Sequence, residues 1–332
     1  MSIFIALVVF GVIVLFHEFG HFIVAKLCKV KVHEFAIGMG PKIASIKGKE
    51  TDYSIRLLPL GGYVKMLGED EDSDDESSFG RKSVLQRIGI IAAGPIMNFV
   101  LAILLFTIIF MVVGIPTTSI KETMKDYPAD SAGIIAGDRI IEIEGKKIES
   151  WNQVTSIVGS SAEKRLDVKI QREGDTMEFE VVPVLQEGRG VIGILPTSEK
   201  NLSLSVKSSA ERTGYILSQM MNFFATLVTG KVNTSDIVGP VGIINVVGEA
   251  AKVGYLNVIS LAAVISINLG LINLFPFPAL DGSRILFLIV ELVRGKKIDS
   301  EKEGMIHLVG FALLMLLMLF ITYKDIIKLI DK

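Results

Sequence analysis

The chain has 332 residues, of which 50% are hydrophobic and 21% are charged, and its formal net charge is −2. This composition is too apolar for the core of a soluble protein, and it predicts membrane-spanning segments. The near-neutral charge excludes a basic surface for nucleic acid, so no nucleic-acid partner is expected. The single cysteine, Cys28, excludes an intrachain disulfide and a cysteine-rich zinc site, and we interpret it as a small filler residue.

Four apolar segments are long enough to cross about 30 Å of hydrocarbon, which predicts a polytopic α-helical membrane protein. We interpret the first segment as a retained helix rather than a cleaved signal peptide, because no Lys or Arg precedes it and no small-residue cleavage site follows it. Prolines in the third segment predict a helix that is interrupted at membrane depth. The four predicted transmembrane helices cover residues 1–26, 87–114, 258–293 and 305–323.

The distribution of basic residues predicts the orientation. Lys and Arg are frequent in the loop 27–86 and in the short loop between the third and fourth spans. Loops of this kind lie preferentially in the cytoplasm. Both chain termini and the large loop 115–257 are therefore expected to be extracytoplasmic.

The first cytoplasmic loop is predicted to contain a β-hairpin at 52–67. Its strands are 52–58 and 63–67, which are rich in Tyr, Ile, Leu and Val, and residues 59–62 contain Pro and Gly-Gly. The apolar content predicts that the hairpin lies against the membrane domain. The alternative is a hairpin on the protein surface.

The extracytoplasmic loop has two predicted parts. Residues 117–198 form a small β-rich domain, because short β-type runs such as 139–143 and 166–172 alternate with turn residues. Residues 199–257 form a linker. Apolar positions at helical spacing over 210–230 predict an amphipathic helix in this linker, lying along the membrane surface.

The sequence His-Glu-Phe-Gly-His occupies residues 17–21 within the first apolar span. His17 and His21 are four residues apart, so a helix places both imidazoles on one face, as two ligands of a single zinc ion require. Glu18 projects about 100° further around the helix, which suits a general base acting on water. The alternative is a pair of helix histidines that make ordinary hydrogen bonds.

The apolar context favours the metal site over that alternative. A charged group at mid-membrane costs about 2.5 kcal/mol or more, so ionisable residues in such a span are functional by default. His17 lies about 22 Å along the helix from Ser2, because each residue advances the helix by about 1.5 Å. The predicted site therefore lies in the cytoplasmic half of the bilayer.

Two histidines leave a catalytic zinc one protein ligand short, because three protein ligands plus water are usual. The candidate for the third is Asp281, a lone carboxylate in the broken third span just past Pro278. Asp281 could instead cap a helix that resumes at Gly282. We interpret the remaining histidines, His33 and His307, as polar interface residues rather than ligands.

Four motifs, in this order, resemble those of the site-2 protease family, and more narrowly its bacterial RseP/RasP branch. The resemblance covers nearly the whole chain. The motifs are HEFGH at 17–21, GGYVKM at 61–66, AGPxxNF at 93–99 and NxxPxPxLDG at 273–282.

The resemblance implies a zinc site and its chemistry. By this resemblance His17, His21 and Asp281 bind Zn²⁺, and Glu18 is the general acid and base. Asn268 and Asn273 match family positions near the active site, where they would hold the substrate backbone or the oxyanion.

The outer β-rich domain resembles a bacterial PDZ domain through YPADSAG at 127–133 and AGDRI at 136–140. The best-known members of the branch have tandem PDZ domains, whereas this chain has room for one. Such a domain would act as a gate above the membrane or bind a peptide.

The predicted function is zinc-dependent hydrolysis of peptide bonds within the transmembrane segments of single-span proteins in the bacterial plasma membrane. The resemblance implies anti-sigma factors or remnant signal peptides as substrates. An unwound substrate segment could pair with a strand edge of the cytoplasmic hairpin. The residues expected on that edge are Gly62, Tyr63, Val64, Lys65 and Met66.

Two other classes of function stay open on the sequence. One is a non-catalytic membrane scaffold whose PDZ domain recruits partners and whose zinc is structural. Glu18 argues against it, because a structural zinc site needs no base and prefers four protein ligands. The other is a metal transporter, which would require polar residues along successive spans rather than at one depth.

Overall fold

A computed structural model describes residues 1–69, 73–228, 239–297 and 299–330. The chain divides into two compact units. One unit consists of residues 1–107 and 209–332, and the other consists of residues 108–208. Each unit is described by itself below.

Four helices within the described residues are long and apolar enough to cross a membrane, one in each of the four predicted apolar segments. The fourth is longer than the predicted 305–323. The helices are α1 (Ser2–Leu27), α2 (Val84–Val113), α7 (Tyr255–Asn273) and α9 (Ser300–Ile330).

Helices α1, α2 and α7 pack through a shared apolar cluster. Ile13 of α1 and Leu101 of α2 are fully buried in it, and Ala262 of α7 completes the contact. Gly20 allows α1 and α2 to approach closely, because a Cβ on Gly20 would lie 2.2 Å from the carbonyl oxygen of Ala93. Small residues serve this purpose at helix interfaces in membranes.

The third predicted span is interrupted, as its prolines indicated. Helix α7 ends at Asn273, and a second helix, α8 (Asp281–Arg294), begins after the segment 274–280. The turn is tight at Gly282, where a Cβ would lie 2.3 Å from the carbonyl oxygens of Leu274 and Phe275. The predicted range 258–293 therefore contains two helices, of which α7 alone has the length of a span.

The predicted hairpin at 52–67 is wrong. Those residues belong to one extended element, β2 (Asp52–Met66), whose partner is β1 (Val32–Lys47). Gly61 has φ +83 within β2, so the Gly-Gly pair marks an irregularity in this element rather than a hairpin turn.

Each of β1 and β2 folds back so that the two make a small sheet. The first half of β1 lies between the two halves of β2, because Ile37 faces both Ile55 and Gly62. Residues 42–47 of β1 pair with the first half of β2 on its other side. Residues 62–66 therefore form an outer edge of the sheet, and no other strand of the described chain pairs with them.

This sheet packs against the membrane helices. One apolar cluster contains Phe35 of β1, Val64 of β2, Ala25 of α1, Ile90 of α2 and Leu288 of α8. The shared burial fixes the sheet to the end of α1 that follows the HEFGH sequence. The expectation that the β element lies against the membrane domain is therefore confirmed.

A buried ion pair joins the start of α2 to the end of α8. Arg87 and Glu291 make two hydrogen bonds, one of them 3.1 Å long, and their side chains are 8% and 12% exposed. A buried charge without its partner is costly, so the pair holds the two helix ends in register.

The unit 108–208 contains a six-stranded sheet. The strands predicted at 139–143 and 166–172 are confirmed as β4 and β6. The elements of the unit are β3 (Ile115–Thr123), α3 (Pro128–Ser131), β4 (Arg139–Ile143), β5 (Lys146–Lys147), α4 (Trp151–Ser160), β6 (Leu166–Arg172), β7 (Asp175–Val181), β8 (Val184–Gln186), β9 (Arg189–Val191) and β10 (Ile194–Glu199). The main order of the sheet is β10-β3-β4-β6-β7, with β5 beside β4.

Asp138, in the sequence AGDRI, has a structural role in this unit. It is fully buried and accepts hydrogen bonds from Arg172 at 2.7 and 2.8 Å and from the Ile135 N–H at 2.9 Å. Burial alone would raise the pKa of Asp138, but the hydrogen bonds from Arg172 outweigh it and lower that pKa.

Two further helices belong to the region that was predicted as a linker. Helix α5 (Leu202–Val228) begins earlier than the predicted 210–230, of which residues 229 and 230 lie outside the described chain. Helix α6 (Pro240–Val253) starts against Asp325 of α9, whose carboxylate accepts the N–H of Gly242 at 2.8 Å. A carboxylate at a helix N-terminus satisfies free N–H groups there.

Candidate metal centre and active site

Helix α1 brings two imidazoles together in the unit of residues 1–107 and 209–332, which is called the membrane unit below because it contains α1, α7, α9 and most of α2. His17 and His21 are 8% and 7% exposed, and their Nε2 atoms lie 3.3 Å apart. Four residues make about one helical turn, so both rings project from the same face of α1. The two rings meet edge to face at a centroid distance of 4.9 Å.

Asp281 joins the two histidines at the start of α8. Its Oδ2 lies 3.1 Å from Nε2 of His17 and 3.4 Å from Nε2 of His21. Neither contact has hydrogen-bond geometry, so the buried Oδ2 has no hydrogen-bond partner among the described residues. The alternative role as an N-cap is wrong, because the N-cap is Leu280 and no side chain caps this helix.

The three donors fit a zinc ion. A tetrahedral ion with bonds of about 2.0–2.1 Å places its ligand atoms about 3.3 Å apart. The observed separations are 3.1, 3.3 and 3.4 Å. Within the described chain, this is the one group of three or more His, Cys, Asp or Glu side chains arranged to hold a metal.

Helix α2 orients both imidazoles through their other ring nitrogens. Nδ1 of His21 lies 2.9 Å from the carbonyl oxygen of Ile90, to which it donates. The amide of Asn98 lies 3.2 Å from Nδ1 of His17. The contacting atom is the Asn98 side-chain nitrogen, and the side-chain oxygen is buried without a hydrogen-bond partner. If Nε2 of His17 binds a metal, the ring proton is on Nδ1, and the Asn98 amide then accepts it with its oxygen and nitrogen exchanged. Such partners fix the ring and its tautomer.

The contribution of Asn98 was missed in the sequence, where the residue was only part of the AGPxxNF motif. Its side chain is fully buried within the apolar helix α2. A polar side chain inside an apolar span is a signal of function in itself. That signal was sufficient to predict a site role for Asn98, although its partner His17 was not predictable.

Glu18 lies beside the donors and against the sheet. It is the neighbour of His17 on α1 and is partly buried. Gly62 of β2 approaches it closely, because a Cβ on Gly62 would lie 2.9 Å from Cγ of Glu18. The outer sheet edge therefore passes next to the predicted general base.

A hydrogen-bonded network holds the sheet edge in place. Glu34 of β1 accepts from Ser54 at 2.6 Å, from the Tyr63 hydroxyl at 2.7 Å and from Arg56 at 2.9 Å. Burial alone would raise the pKa of Glu34, but these hydrogen bonds outweigh it and lower the pKa to about 2. Burial and the bond to Glu34 raise the pKa of Tyr63 to about 12. At neutral pH the Glu34 carboxylate therefore stays deprotonated and the Tyr63 hydroxyl stays protonated.

The two asparagines predicted from the family resemblance lie on α7. Asn268 is exposed, and it projects about 200° around the helix from Ser266, which donates to the carbonyl oxygen of Asn98. Asn273 is the last residue of α7 and is partly buried. No described hydrogen bond joins either one to His17 or Asp281, so their roles stay predictions.

Comparison with known proteins identifies the class. The model of peptidase family M50, the site-2 protease family, matches residues 5–317. This match covers most of the chain, so the protein belongs to that family and is a zinc metalloprotease.

Individual relatives agree with this assignment. A chain from Clostridium acetobutylicum is 41% identical over 330 residues, which are 98% of this chain and 97% of that one. The zinc metalloprotease RasP of Geobacillus kaustophilus is 34% identical over 412 residues, 98% of each chain. The regulator of sigma-W protease RasP of Bacillus subtilis is 34% identical over 412 residues, 97% of each chain.

Those alignments of 412 residues exceed the 332 residues of this chain by about 80. Both RasP chains therefore contain segments that this chain lacks. Among solved structures, the PDZ domain of an SdrC-like protein of Listeria innocua is 24% identical over 26% of this chain and 96% of that chain, with a TM-score of 0.22.

The close contact of α1 and α2 predicts the effect of a methyl group at Gly94. A Cβ on Gly94 would lie 2.2 Å from Nε2 of His21, so Gly94→Ala should displace that imidazole. We expect zinc affinity to fall about 10- to 100-fold, as when support for a ligand is lost. Competition between the protein and a chelator measures this zinc affinity. Gly89→Ala on the same helix is the control, since no atom lies within 4 Å of its Cβ. Unchanged affinity in Gly94→Ala would contradict the proposed site.

Proposed function

We propose that this zinc metalloprotease cleaves peptide bonds within the bilayer, in the transmembrane segments of single-span proteins. The observation that supports this most directly is the position of the donors. His17, His21 and Asp281 come together between α1 and the break after α7, and both helices are long and apolar enough to span a membrane. A substrate bond must enter the same region to be cut.

The proposed metal ligands are His17, His21 and Asp281. Zinc held there supplies Lewis-acid chemistry, since it polarises a carbonyl group and lowers the pKa of water. The proposed role of Glu18 is proton transfer: its carboxylate takes the proton of the attacking water and delivers it to the leaving nitrogen. Asn98 and Ile90 keep the imidazoles aligned throughout.

The proposed substrate-binding surface is the sheet edge Gly62–Met66. A helical substrate hides its peptide bonds in its own hydrogen bonds, so it must unwind before hydrolysis. An exposed strand edge offers free N–H and C=O groups with which the unwound backbone can pair. The contact of Gly62 with Glu18 supports this role, because a strand added at that edge would pass beside the general base.

The contacts of the membrane unit support the proposed orientation. Gly248 of α6 lies against Ser2, and Asp325 of α9 accepts from the start of α6. This shared contact with α6 supports the proposal that α1 begins and α9 ends on the same side. Lys297, between α8 and α9, donates to the carbonyl oxygen of Gly80 on the other side. The loops on that second side are the basic ones, which we assign to the cytoplasm.

The relatives give the proposal a substrate class. The Bacillus subtilis relative is named as a regulator of sigma-W, which supports a membrane-anchored anti-sigma factor as one substrate type. Remnant signal peptides are the other type we propose. The residues 117–198 would act as a PDZ domain outside the membrane, where they admit trimmed substrates or bind a peptide.

The scaffold alternative is not favoured. The RasP relatives, aligned over nearly the whole chain, are named as zinc metalloproteases or as a protease. Three protein donors also leave one tetrahedral position open, which is the arrangement of a catalytic rather than a structural zinc.

The proposed role of Glu18 predicts that Glu18→Gln loses cleavage activity but keeps its zinc. Glutamine has a similar shape but cannot accept the proton, so the rate of cleavage should fall about 10²- to 10⁴-fold. Zinc content should stay unchanged, because Glu18 is not one of the three donors. The measurement uses purified protein and a single-span substrate in liposomes. Equal cleavage by wild type and variant would rule out the mechanism.

The role of the sheet edge predicts the effect of proline at Lys65. Proline removes a backbone donor and fixes φ, so Lys65→Pro should reduce cleavage by on the order of tenfold or more while zinc stays bound. Lys65→Ala is the matched control, because it removes the exposed side chain and keeps the N–H. Normal cleavage by Lys65→Pro would contradict strand pairing at this edge.

A further inference from the structure

One histidine of α9 contacts the segment that presents Asp281. The backbone N–H of Ala279, two residues before Asp281, donates to Nδ1 of His307 at 3.0 Å. We propose that His307 is a positioning residue, which holds the segment 274–280 in the conformation that presents Asp281 to zinc. This inference rests on the proposed assignment of Asp281 as a ligand.

The segment needs such a restraint because its backbone is strained. Ala279 has φ +79, in the left-handed region that residues with a side chain seldom adopt. Conformations of this kind persist only where surrounding contacts impose them. The hydrogen bond from the Ala279 N–H to His307 is a contact at the strained residue itself.

Two side chains flank the imidazole of His307. The ring of Phe287 on α8 meets it edge to face at a centroid distance of 5.8 Å. Oε1 of Glu303, one turn earlier on α9, lies 3.8 Å from Nε2. That carboxylate favours the tautomer with the proton on Nε2, which leaves Nδ1 as the acceptor that Ala279 requires.

A second contact joins the same face of α9 to the segment. Gly310 lies three residues after His307, and a Cβ on it would be 2.2 Å from Cβ of Pro278. Consecutive residues of the segment, Pro278 and Ala279, are therefore both fixed by α9. His307 and Asp281 also line one open surface pocket of about 390 Å³, so the segment borders space into which it could relax if the hydrogen bond were lost.

The test compares two replacements of His307 in the full-length protein. His307→Phe keeps an aromatic ring against Phe287 but offers no acceptor, and we expect zinc affinity to fall about 10- to 100-fold. His307→Asn places an oxygen near the position of Nδ1, and we expect affinity within about threefold of wild type. His33→Phe is the control, since His33 is exposed on the sheet, and its affinity should be unchanged. Chelator competition measures all of them.

A double variant, in which Ala279→Gly is added to His307→Phe, tests the backbone strain directly. It also distinguishes loss of positioning from poor folding of His307→Phe. Glycine adopts positive φ without steric cost, so adding Ala279→Gly to His307→Phe should restore zinc affinity several-fold. The thermal unfolding of each metal-free protein is measured in parallel. A loss of zinc affinity with unchanged metal-free stability, reversed by Ala279→Gly, is the result expected of a positioning residue.

Three results would overturn the inference. The first is wild-type zinc affinity in His307→Phe. The second is an equal loss of zinc affinity in His307→Phe and His307→Asn. The third is zinc affinity that does not recover when Ala279→Gly is added to His307→Phe. Asp281→Asn separates this failure from a failure of the ligand assignment. If Asp281→Asn binds zinc as wild type does, the assignment of Asp281 is wrong. If Asp281→Asn loses zinc and His307→Phe keeps it, only the role of His307 is wrong.

Discussion

The structure depends on bringing two imidazoles and one carboxylate together among apolar helices. An uncompensated charge in such surroundings is costly, and the carboxylate Oδ2 of Asp281 has no hydrogen-bond partner among the described residues. A shared cation removes that cost, because it satisfies the carboxylate and both Nε2 atoms at once. A metal bound by these three residues would therefore contribute to the packing of the helices as well as to the chemistry.

Backbone features on three helices make this arrangement possible. Glycines at positions 20 and 94 let α1 and α2 approach closely enough for Ile90 and Asn98 to orient the histidines. The break after α7 turns the chain so that Asp281 is the first residue of a new helix. The contact of α9 with the segment 274–280 supports that break. Chemistry and fold are thus coupled through close backbone contacts.

Local patterns predicted much of this from the sequence. The spacing of His17 and His21, the four apolar segments and the proline break are all read from neighbouring residues. Asp281 was the candidate third ligand as the lone carboxylate of the broken span, and the family resemblance implied the same role. The sheet was not predictable in this way. The first half of β1 lies between the halves of β2, and strand pairing of that kind depends on contacts distant in sequence. The support given by Asn98 likewise comes from a different helix.

We propose that one zinc ion is bound by the imidazoles of His17 and His21 and the carboxylate of Asp281. X-ray absorption at the zinc edge of the purified protein in detergent tests it most directly. We expect a first shell of nitrogen and oxygen at about 2.0–2.2 Å, with two imidazole signatures and no sulfur. The Asp281→Asn variant should no longer retain one zinc ion per chain. A sulfur ligand, a third imidazole, or an unchanged spectrum in Asp281→Asn would contradict the claim.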